Sequence, residues 1–369
     1  MTITVRDIRA AMEHWAPPAL CYPWDKAGLH TGRPDQPVDG VVACLTVNER
    51  VVQAALKAGA NMIVSHHPLV WEPLTHLRKD SPHHALCLRV AAGGLACYSA
   101  HTNLDMAENG VNATLARALG LKELSPLAAA PHANEQVKVA TFVPEAHLAG
   151  VRDAMAAAGA GVIGDYSHCG FSTPGTGSFK PGEAADPWSG RKGVVNEEPE
   201  LRFEMLAPKP LLPRVLEALF QAHPYEEVAY DVIPLQNRDV RYGLGLCGTL
   251  PVAQSLADFA GLVRRALKTN HVRMVGLPRR RVRRVGVVAG GGGGYAPEAP
   301  EGIDVFVTGD VKYDHAREAA ARGLAVIDAG HGPSERIIVP VMASYLRKTF
   351  NKLSVKSYVE PNYFRAVTE

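Results

Sequence analysis

Two adjacent histidines, His66 and His67, stand directly after an apolar segment that has the composition of a short β-strand. Pro68 prevents a simple continuation of that strand, because proline cannot donate to a sheet ladder. Adjacent side chains on a strand point to opposite faces, but beyond its end the chain can turn both imidazoles towards one crevice. A single histidine at such a position is more often structural than a ligand. A tandem pair leaves a structural role and a metal-binding role open.

Further polar groups follow two other strand-like segments. The next strand along the chain is followed by His101 and, four residues later, by Asp105. In the last third, a strand leads into G-H-G-P-S-E at 330–335, where the glycines permit an irregular backbone and the serine can cap a helix. His331 and Glu335 are four residues apart, a spacing at which both side chains can reach one ion. A capped helix with a solvated Glu335 is the structural alternative, although it does not explain the recurring histidine.

Together these segments offer three imidazoles and two carboxylates: His66, His67, Asp105, His331 and Glu335. This set of nitrogen and oxygen ligands suits Zn, Mn, Fe or Co and needs no thiolate. Five ligands exceed the three that a protein usually donates to one catalytic zinc, so two ions bridged by a carboxylate or a hydroxide fit better. Such a pair of ions, about 3.5–4 Å apart, lowers the pKa of a shared water and stabilises negative charge on a reacting oxygen. This chemistry is typical of a hydrolase.

Three features near these segments admit more than one interpretation. His101 stands close to Asp105 and histidine is the side chain most often used for proton transfer, so we hypothesise that it is the catalytic proton donor; its alternative role is to orient a ligand through an N–H. Asp310 and His315 follow a strand of the last third, where they can support the ligands, touch a substrate or be solvated. Five glycines at 290–294 suit a phosphate cradle, but the Walker lysine is absent and a flexible connection is favoured.

The elements that position these residues alternate between strand and helix. The first third predicts strands at 41–47, 61–65 and 95–100, and helices at 49–58 and 83–92. The last third predicts strands at 285–289, 304–308 and 324–328, and helices at 313–322 and 334–348. This alternation is typical of βαβ units with a mainly parallel sheet, and the carboxyl ends of such strands form the usual site crevice.

The two thirds also resemble each other in sequence. G-A-N-M-I-V-S at 59–65 aligns with G-I-D-V-F-V-T at 302–308, and G-L-A at 94–96 aligns with G-L-A at 323–325. Each G-L-A is followed by a histidine a few residues later. Two matches in the same order indicate an internal duplication, so we predict an α/β fold in which two similar halves form one core domain and face each other.

Residues 136–235 have a different character. The segment predicts strands at 137–143, 200–207 and 227–232, helices at 148–158 and 211–222, and a loop of glycine, serine, threonine and proline at 169–190. We assign to it the ferredoxin-like order of strand, helix, strand, strand, helix, strand. A domain whose ends lie close together is tolerated as an insertion. The predicted organisation is a discontinuous core of residues 1–130 and 241–369 with an inserted domain at 131–240.

Composition restricts the class of protein further. Hydrophobic residues make up 47% of the 369-residue chain, which is enough for a substantial core and argues against disorder. Lys and Arg number 39 against 37 Asp and Glu, so no general attraction to nucleic acid or membrane is expected. The arginine-rich run at 279–284 is a solvated strand entry or a site for a phosphate-bearing ligand. The six scattered cysteines, the absence of a signal sequence and the lack of a long apolar stretch predict a soluble cytoplasmic protein.

The chain resembles the NGG-interacting-factor-three-like family, whose bacterial members are often called GTP cyclohydrolase I type 2 homologs. Four motifs carry the resemblance: S-H-H-P at 65–68, H-T-N-L-D at 101–105, T-G-D-V-K-Y at 308–313 and G-H-x-x-S-E at 330–335. The resemblance covers nearly the whole chain. In the middle segment, C-G-F-S-T-P-G at 169–175 and H-P-Y-E-E at 223–227 resemble the domain related to PII and CutA proteins in the longer members.

That resemblance implies a dinuclear metal centre in a toroidal homohexamer that encloses a cavity. Matched motif to motif, the family's ligands fall on the five residues proposed above, with Glu335 as a bridging group. Two positions depart from the family pattern. Lys26 replaces the asparagine of W-D-N-x-G-L, and Thr46 replaces an aspartate usual in the first long strand. Neither position is a ligand, so the metal site is retained.

The expected function is that of a metal-dependent hydrolase acting on a small phosphorylated or nucleotide-like molecule, with ring opening of the GTP cyclohydrolase type implied by the family label. The alternative is a non-catalytic metal-binding or regulatory protein whose insert senses a ligand or gates the cavity. The two hypotheses differ in whether any substrate turns over when the metals are loaded. A nucleic-acid-binding ring is disfavoured by the near-neutral charge balance.

Overall fold

The structure, a computed structural model, describes residues 2–129, 134–238 and 242–364. The chain divides into two compact units. The first unit combines Met1–Ala130 with Arg241–Glu369, and the second unit is Pro131–Val240. The first unit is therefore discontinuous in sequence, and the second lies between its two segments along the chain.

The amino-terminal segment of the first unit alternates helices and strands. Its elements are α1 (Val5–Trp15), β1 (Gly28–Thr31), β2 (Gly40–Cys44), α2 (Glu49–Lys57), β3 (Met62–Ser65), α3 (Pro82–Ala92), β4 (Ala96–Ser99), α4 (Thr102–Met106), α5 (Val111–Ala118) and β5 (Lys122–Ala129). Capping explains where α2 begins, because the Asn48 side chain accepts hydrogen bonds from two backbone N–H groups of the first turn. The predicted strands and helices of this segment are present, with ends that differ by up to three residues.

The second unit is a four-stranded antiparallel sheet with two helices. Its elements are β6 (Glu135–Val143), α6 (Leu148–Ala157), β7 (Gly170–Phe179), β8 (Asn196–Pro208), α7 (Leu212–Ala222) and β9 (Tyr230–Arg238). The sheet order is β7-β8-β6-β9, and the helices connect β6 to β7 and β8 to β9, as in ferredoxin-like sheets. The predicted loop at 169–190 is wrong over its first half, which is β7. Most of this edge strand is exposed, so it lacks the alternation of apolar and polar residues that predicts a strand. It also contains Pro174, which an edge strand tolerates.

The carboxy-terminal segment completes the first unit. Its elements are β10 (Gly243–Ser255), α8 (Leu256–Ala266), β11 (Arg273–Val275), β12 (Arg281–Val287), β13 (Val305–Thr308), α9 (Tyr313–Ala321), β14 (Ala325–Asp328), α10 (His331–Glu335), α11 (Ile338–Thr349) and β15 (Ser354–Tyr358). The single helix predicted at 334–348 is wrong, because α10 and α11 are separate. Pro340 lies in the first turn of α11, where backbone N–H groups have no acceptor within the helix, so the N–H that proline lacks is not needed. Arg281 begins β12, so part of the arginine-rich run is strand.

Two sheets form the first unit. One has the order β1-β4-β3-β2-β15 and the other β11-β14-β13-β12-β10-β5. β15, from the end of the chain, pairs in parallel with β2, while β5, from the amino-terminal segment, pairs with β10. Each sheet therefore contains one strand from the other segment of the chain. A simple duplication would instead place all strands of one sheet in one segment.

The strands that lead to the candidate site are buried along their whole length. Every residue of β3, β4, β13 and β14 is buried, as expected for parallel strands that are covered on both faces. Val64 of β3 and Val307 of β13 belong to one hydrophobic cluster that also includes residues of α5 and α11. The first polar side chains beyond these strands are consequently held at the edge of a shared core.

Two further observations concern the chain as a whole. All six cysteine thiols are free. Within the part of the chain that the structure describes, every helix is too short or too polar to cross a membrane.

Candidate metal centre

The candidate site lies in the first unit, at the carboxyl ends of strands from both sheets. Beyond β3, the backbone N–H of His66 donates to Cys44 O at 3.2 Å and that of His67 donates to Leu45 O at 2.8 Å, so the chain turns across the end of β2. The other three predicted ligands come from α4, which follows β4, and from α10, which follows β14: Asp105, His331 and Glu335. All five predicted ligands thus come from segments that directly follow buried strands.

Glu335 joins two groups of imidazoles. Its Oε1 lies 3.7 Å from His66 Nε2, and its Oε2 lies 3.0 Å from His67 Nε2 and 3.1 Å from His331 Nε2. Asp105 Oδ1 lies 3.7 Å from His66 Nε2. Two sets of three residues therefore share Glu335, and within each set one ligand atom per residue lies within 4.8 Å of the others: His67, His331 and Glu335; His66, Asp105 and Glu335. Tertiary structure brings all five predicted residues together.

The imidazoles of this cluster are all held through Nδ1. His66 Nδ1 is hydrogen bonded to Ala100 O at 2.8 Å. His67 Nδ1 is hydrogen bonded to Thr46 Oγ1 at 2.7 Å, and His331 Nδ1 is hydrogen bonded to Asp310 Oδ2 at 2.7 Å. The carbonyl and carboxylate partners place a proton on Nδ1 of His66 and His331, which leaves Nε2 facing Glu335. Nε2 is the nitrogen that a metal ion would take once it is deprotonated. Asp310, for which the sequence allowed a solvated role, orients His331 instead. Thr46 retains an orienting contact where the family usually has aspartate.

Two buried polar atoms within the cluster have no hydrogen-bond partner: His66 Nε2 and Asp105 Oδ1. Buried polar atoms are almost always paired, because an unpaired one loses its hydration without compensation. A cation between these two atoms would satisfy both. The donor set of imidazole nitrogens and carboxylate oxygens therefore fits divalent metal ions, as the residue types predict.

The electrostatics of the site arise from burying this many ionisable groups together. Burial acts to lower the pKa of His66, but the carboxylates of Asp105 and Glu335 outweigh it and raise that pKa to about 9. Hydrogen bonding to Glu335 raises the pKa of His331 to about 9. Burial raises the pKa of Asp105 to about 6. Burial opposes ionisation of Glu335 as well, yet its three histidine partners hold its pKa well below the usual range. Burial lowers the pKa of His67, so the metal-free cluster combines imidazolium, neutral imidazole and carboxylate groups.

His101 lies beside the cluster and is anchored by a residue that sequence reasoning missed. Its ring is 5.3 Å from that of His66 and 5.8 Å from that of His67, centroid to centroid, and it forms a third potential metal-binding group with them. Its Nδ1 lies 2.7 Å from Asp25 Oδ1. Thr102 donates to the other oxygen of Asp25 through both its backbone N–H and its hydroxyl. Asp25 belongs to the segment at 24–29 that corresponds to the family pattern W-D-N-x-G-L, so a signal existed, but its partner is 76 residues away.

The first glycine of the run at 290–294 packs against the metal-binding cluster. A Cβ added to Gly290, whose φ is +68°, would lie 2.7 Å from Glu335 Cδ. The Gly290 N–H donates to Ser334 Oγ at 2.9 Å. Gly290 therefore provides the space in which the Glu335 carboxylate lies. His315 packs near Gly294 and belongs to none of the three groups of described residues that could hold a metal.

Comparison with known proteins agrees with this geometry. The model of the Duf34/NIF3 (NGG1p interacting factor 3) family matches residues 3–362. The chain belongs to the Duf34/NIF3 family. A Halalkalibacterium halodurans relative named GTP cyclohydrolase 1 type 2 homolog is 39% identical over 86% of each chain. A Bacillus subtilis relative of the same name is 39% identical over 89% of this chain and 88% of its own.

Solved structures of NIF3-related proteins share the fold. A Bacillus cereus protein related to NIF3 superposes with a TM-score of 0.86, at 37% identity, over 100% of both chains. Staphylococcus aureus protein SA1388 superposes with a TM-score of 0.72, at 27% identity, over 99% of both. The resemblance to this family that the four motifs indicated is confirmed over nearly the whole chain.

Proposed function

We propose that this chain holds two divalent metal ions, of Zn, Mn, Fe or Co, and uses them as a hydrolase of a small phosphorylated or nucleotide-like molecule. The observation that supports two ions is the position of Glu335, whose two carboxylate oxygens face different histidines. One set of ligands is His67, His331 and Glu335, and the other is His66, Asp105 and Glu335. Glu335 is the proposed bridging group.

When bound, a pair of divalent ions lowers the pKa of water and stabilises negative charge on a reacting oxygen. The protein supplies orientation and proton transfer around them. Asp25 fixes the tautomer of His101 through Nδ1, which directs the second ring nitrogen away from that bond. His101 is then placed to give a proton to a leaving group or to ligate one of the ions. We retain the proton-donor role for it, as proposed from the sequence.

Aromatic side chains beside His101 support a planar substrate group. Trp71 lies edge-on to the His101 ring with 5.6 Å between centroids, and Trp24 lies 5.9 Å from Trp71. Tyr22 stacks on Trp24 at 5.3 Å. Trp24 is 52% exposed and Trp71 42% exposed, so both retain free surface on which a heteroaromatic ring can stack. The name GTP cyclohydrolase 1 type 2 homolog that the relatives carry agrees with such a substrate.

The proposal is tested first by metal analysis of protein purified without chelator, in which two ions per chain are expected. The Glu335→Gln variant should lose both ions, whereas Glu318→Gln, a change of a mostly solvent-exposed glutamate on α9, should keep them. Turnover of phosphoesters and nucleotides is then screened with Mn, Fe and Zn loaded. Full metal occupancy without turnover of any of these compounds would favour the alternative, a non-catalytic metal-binding or regulatory protein.

Three further proposals accompany this function. A homohexamer is expected to give a mass in light scattering six times that of the 39.5-kDa chain. The second unit is proposed to be related to PII and CutA proteins, which its ferredoxin-like strand order and its two motifs support. A cytoplasmic location is supported by the six free thiols, which suit a reducing compartment, and cell fractionation would test it.

A further inference from the structure

Two motifs of the second unit that the metal centre does not use line one cavity. The cavity has a volume of about 770 Å³ and lies between β7, the loop that follows it, and the segment after α7. Residues 173–175 of the first motif and 225–227 of the second both line it. A volume of this size is typical of sites that enclose a small organic ligand. All of its lining residues belong to the second unit.

Aromatic side chains form one wall of this cavity. The rings of Trp188 and Tyr225 lie 5.8 Å apart at 43°, so their faces make a corner rather than a stack. Phe142 and Phe179 also line the space. Trp188 is 50% exposed, although an aromatic side chain of this size is usually more buried. An exposed tryptophan within a concave aromatic corner is an arrangement suited to contact with a ligand.

Hydrogen bonds hold the aromatic corner in place. His223 is buried, its Nε2 donates to Phe142 O at 3.0 Å, and its Nδ1 accepts from the backbone N–H of Tyr225 at 3.2 Å. The Tyr225 hydroxyl donates to Glu200 Oε1 at 2.8 Å. Because the imidazole and the hydroxyl are both fully engaged, the ring of Tyr225 and the carboxylate of Glu200 are preorganised before any ligand arrives.

The charges of the lining favour a cation over an anion. Three carboxylates line the cavity: Glu200, Glu226 and Glu227. A Cβ added to Gly177 of β7 would lie 2.8 Å from Glu200 Cδ, so this glycine leaves room for the carboxylate against the strand. The cationic side chains of the lining are Lys180 and Arg202. Arg202 Nε is bound to Glu204 at 2.9 Å and its guanidinium lies over the Phe142 ring, so its charge is already paired.

We propose that this cavity binds a small organic cation, an amine or guanidine with a short apolar body. Aromatic faces attract such cations through the ring quadrupole, and a carboxylate beside them supplies the opposite charge. Trp188 and Tyr225 provide the faces, and Glu200 provides the charge. The site is independent of the metal centre and of the hydrolase proposal, because none of its residues belongs to the first unit.

Calorimetric titration of the full metal-loaded chain with agmatine, putrescine and choline tests this proposal, with inorganic phosphate and ATP as anionic probes. At least one of the three cations is expected to bind saturably, with one molecule per chain. Trp188→Ala and Glu200→Gln should each weaken that binding by about tenfold, since each removes one favourable contact with the cation. Glu200→Gln keeps an oxygen that can accept the hydrogen bond from Tyr225, so this variant should fold normally. It therefore tests the proposal even where Trp188→Ala fails to fold.

Two variants of the same unit serve as matched controls. Phe171→Ala removes a 69%-exposed aromatic side chain of β7 that does not line the cavity, and Glu217→Gln neutralises a carboxylate of α7 outside it. Both should bind the cation as the unaltered chain does. The proposal is overturned if none of the three cations binds at millimolar concentration, or if both site variants bind as the controls do. It is equally overturned if the two site variants weaken the binding of ATP or phosphate rather than that of a cation, or if Trp188→Ala changes only the oligomeric mass.

Discussion

Replacing Gly290 with alanine should separate the stability of the fold from its affinity for metal. The added Cβ would lie 2.7 Å from Glu335 Cδ and closer still to Oε1, whereas ordinary contact begins at 3.4 Å, so the carboxylate must retreat by more than about 0.7 Å. Metal–ligand distances tolerate only about 0.2 Å. The carboxylate is the end of the flexible Glu335 side chain, so the side chain can move away from the added methyl group without disturbing the fold. The proposed bridging ligand, however, is displaced.

Gly323→Ala is a matched control for this change. Gly323 has φ of +69° against +68° for Gly290, and a Cβ there would meet no atom within 4 Å. Both variants therefore pay the same left-handed backbone cost of about 1–2 kcal/mol, measurable by chemical unfolding of the metal-free protein. Only Gly290→Ala should also weaken metal binding, by at least about 100-fold, because a ligand moves and changes around ligands already cost about 10–100-fold.

The assay is competition with a chromophoric chelator, which reports both affinity and the number of ions per chain. Equal affinity and two ions in both alanine variants would contradict this prediction, because Glu335 could not then be a ligand at its observed position. An unfolding free energy that fell far more in Gly290→Ala than in Gly323→Ala would show that the carboxylate does not yield, and would also contradict it.

Three other predictions concern the groups around the metals. In the metal-free protein His66 and His331 have pKa values raised to about 9, so both are protonated at pH 7.5. Metal binding should therefore release about two protons per chain and become stronger as the pH rises to 9. Calorimetry in buffers of different ionisation enthalpy measures the number of protons released. Asp25→Asn should lower the free energy of unfolding by about 1–3 kcal/mol, because an amide cannot accept from both His101 and Thr102. Thr46→Val should weaken metal binding about tenfold without loss of stability, since His67 loses its Nδ1 partner.

Each of these predictions has an outcome that contradicts it. Metal uptake that releases no protons at pH 7.5 would mean that the two imidazoles are already neutral. Asp35→Asn changes a 69%-exposed aspartate and should leave stability unaltered, so an equal loss in both aspartate variants would remove the special role of Asp25. Thr349→Val removes an exposed hydroxyl at the end of α11 that donates to Tyr345 O, and it should keep full metal affinity.

Local pattern was sufficient for much of the fold and for the ligands themselves. Apolar runs that are buried on both faces identify strands such as β3 and β14 without knowledge of their neighbours, because burial of parallel strands demands continuous apolar sequence. The same strands point to His66 and His331, which follow them. β7 was not predicted because an exposed edge strand has no run of buried apolar residues. The break between α10 and α11 was not predicted because Pro340 is compatible with the first turn of a helix.

The linear order of residues is enough to show which residue types stand at the ends of buried strands, and hence that imidazoles and carboxylates are available for metal. Which atoms meet depends on how the separate segments pack against one another. The contact of Glu335 with His66, the anchoring of His101 by Asp25 and the space that Gly290 leaves all join positions 45–269 residues apart. Hydrophobic periodicity reports whether a residue faces a core, which is a local property. It carries no information about the partner across that core, because packing of separate strands fixes the partner.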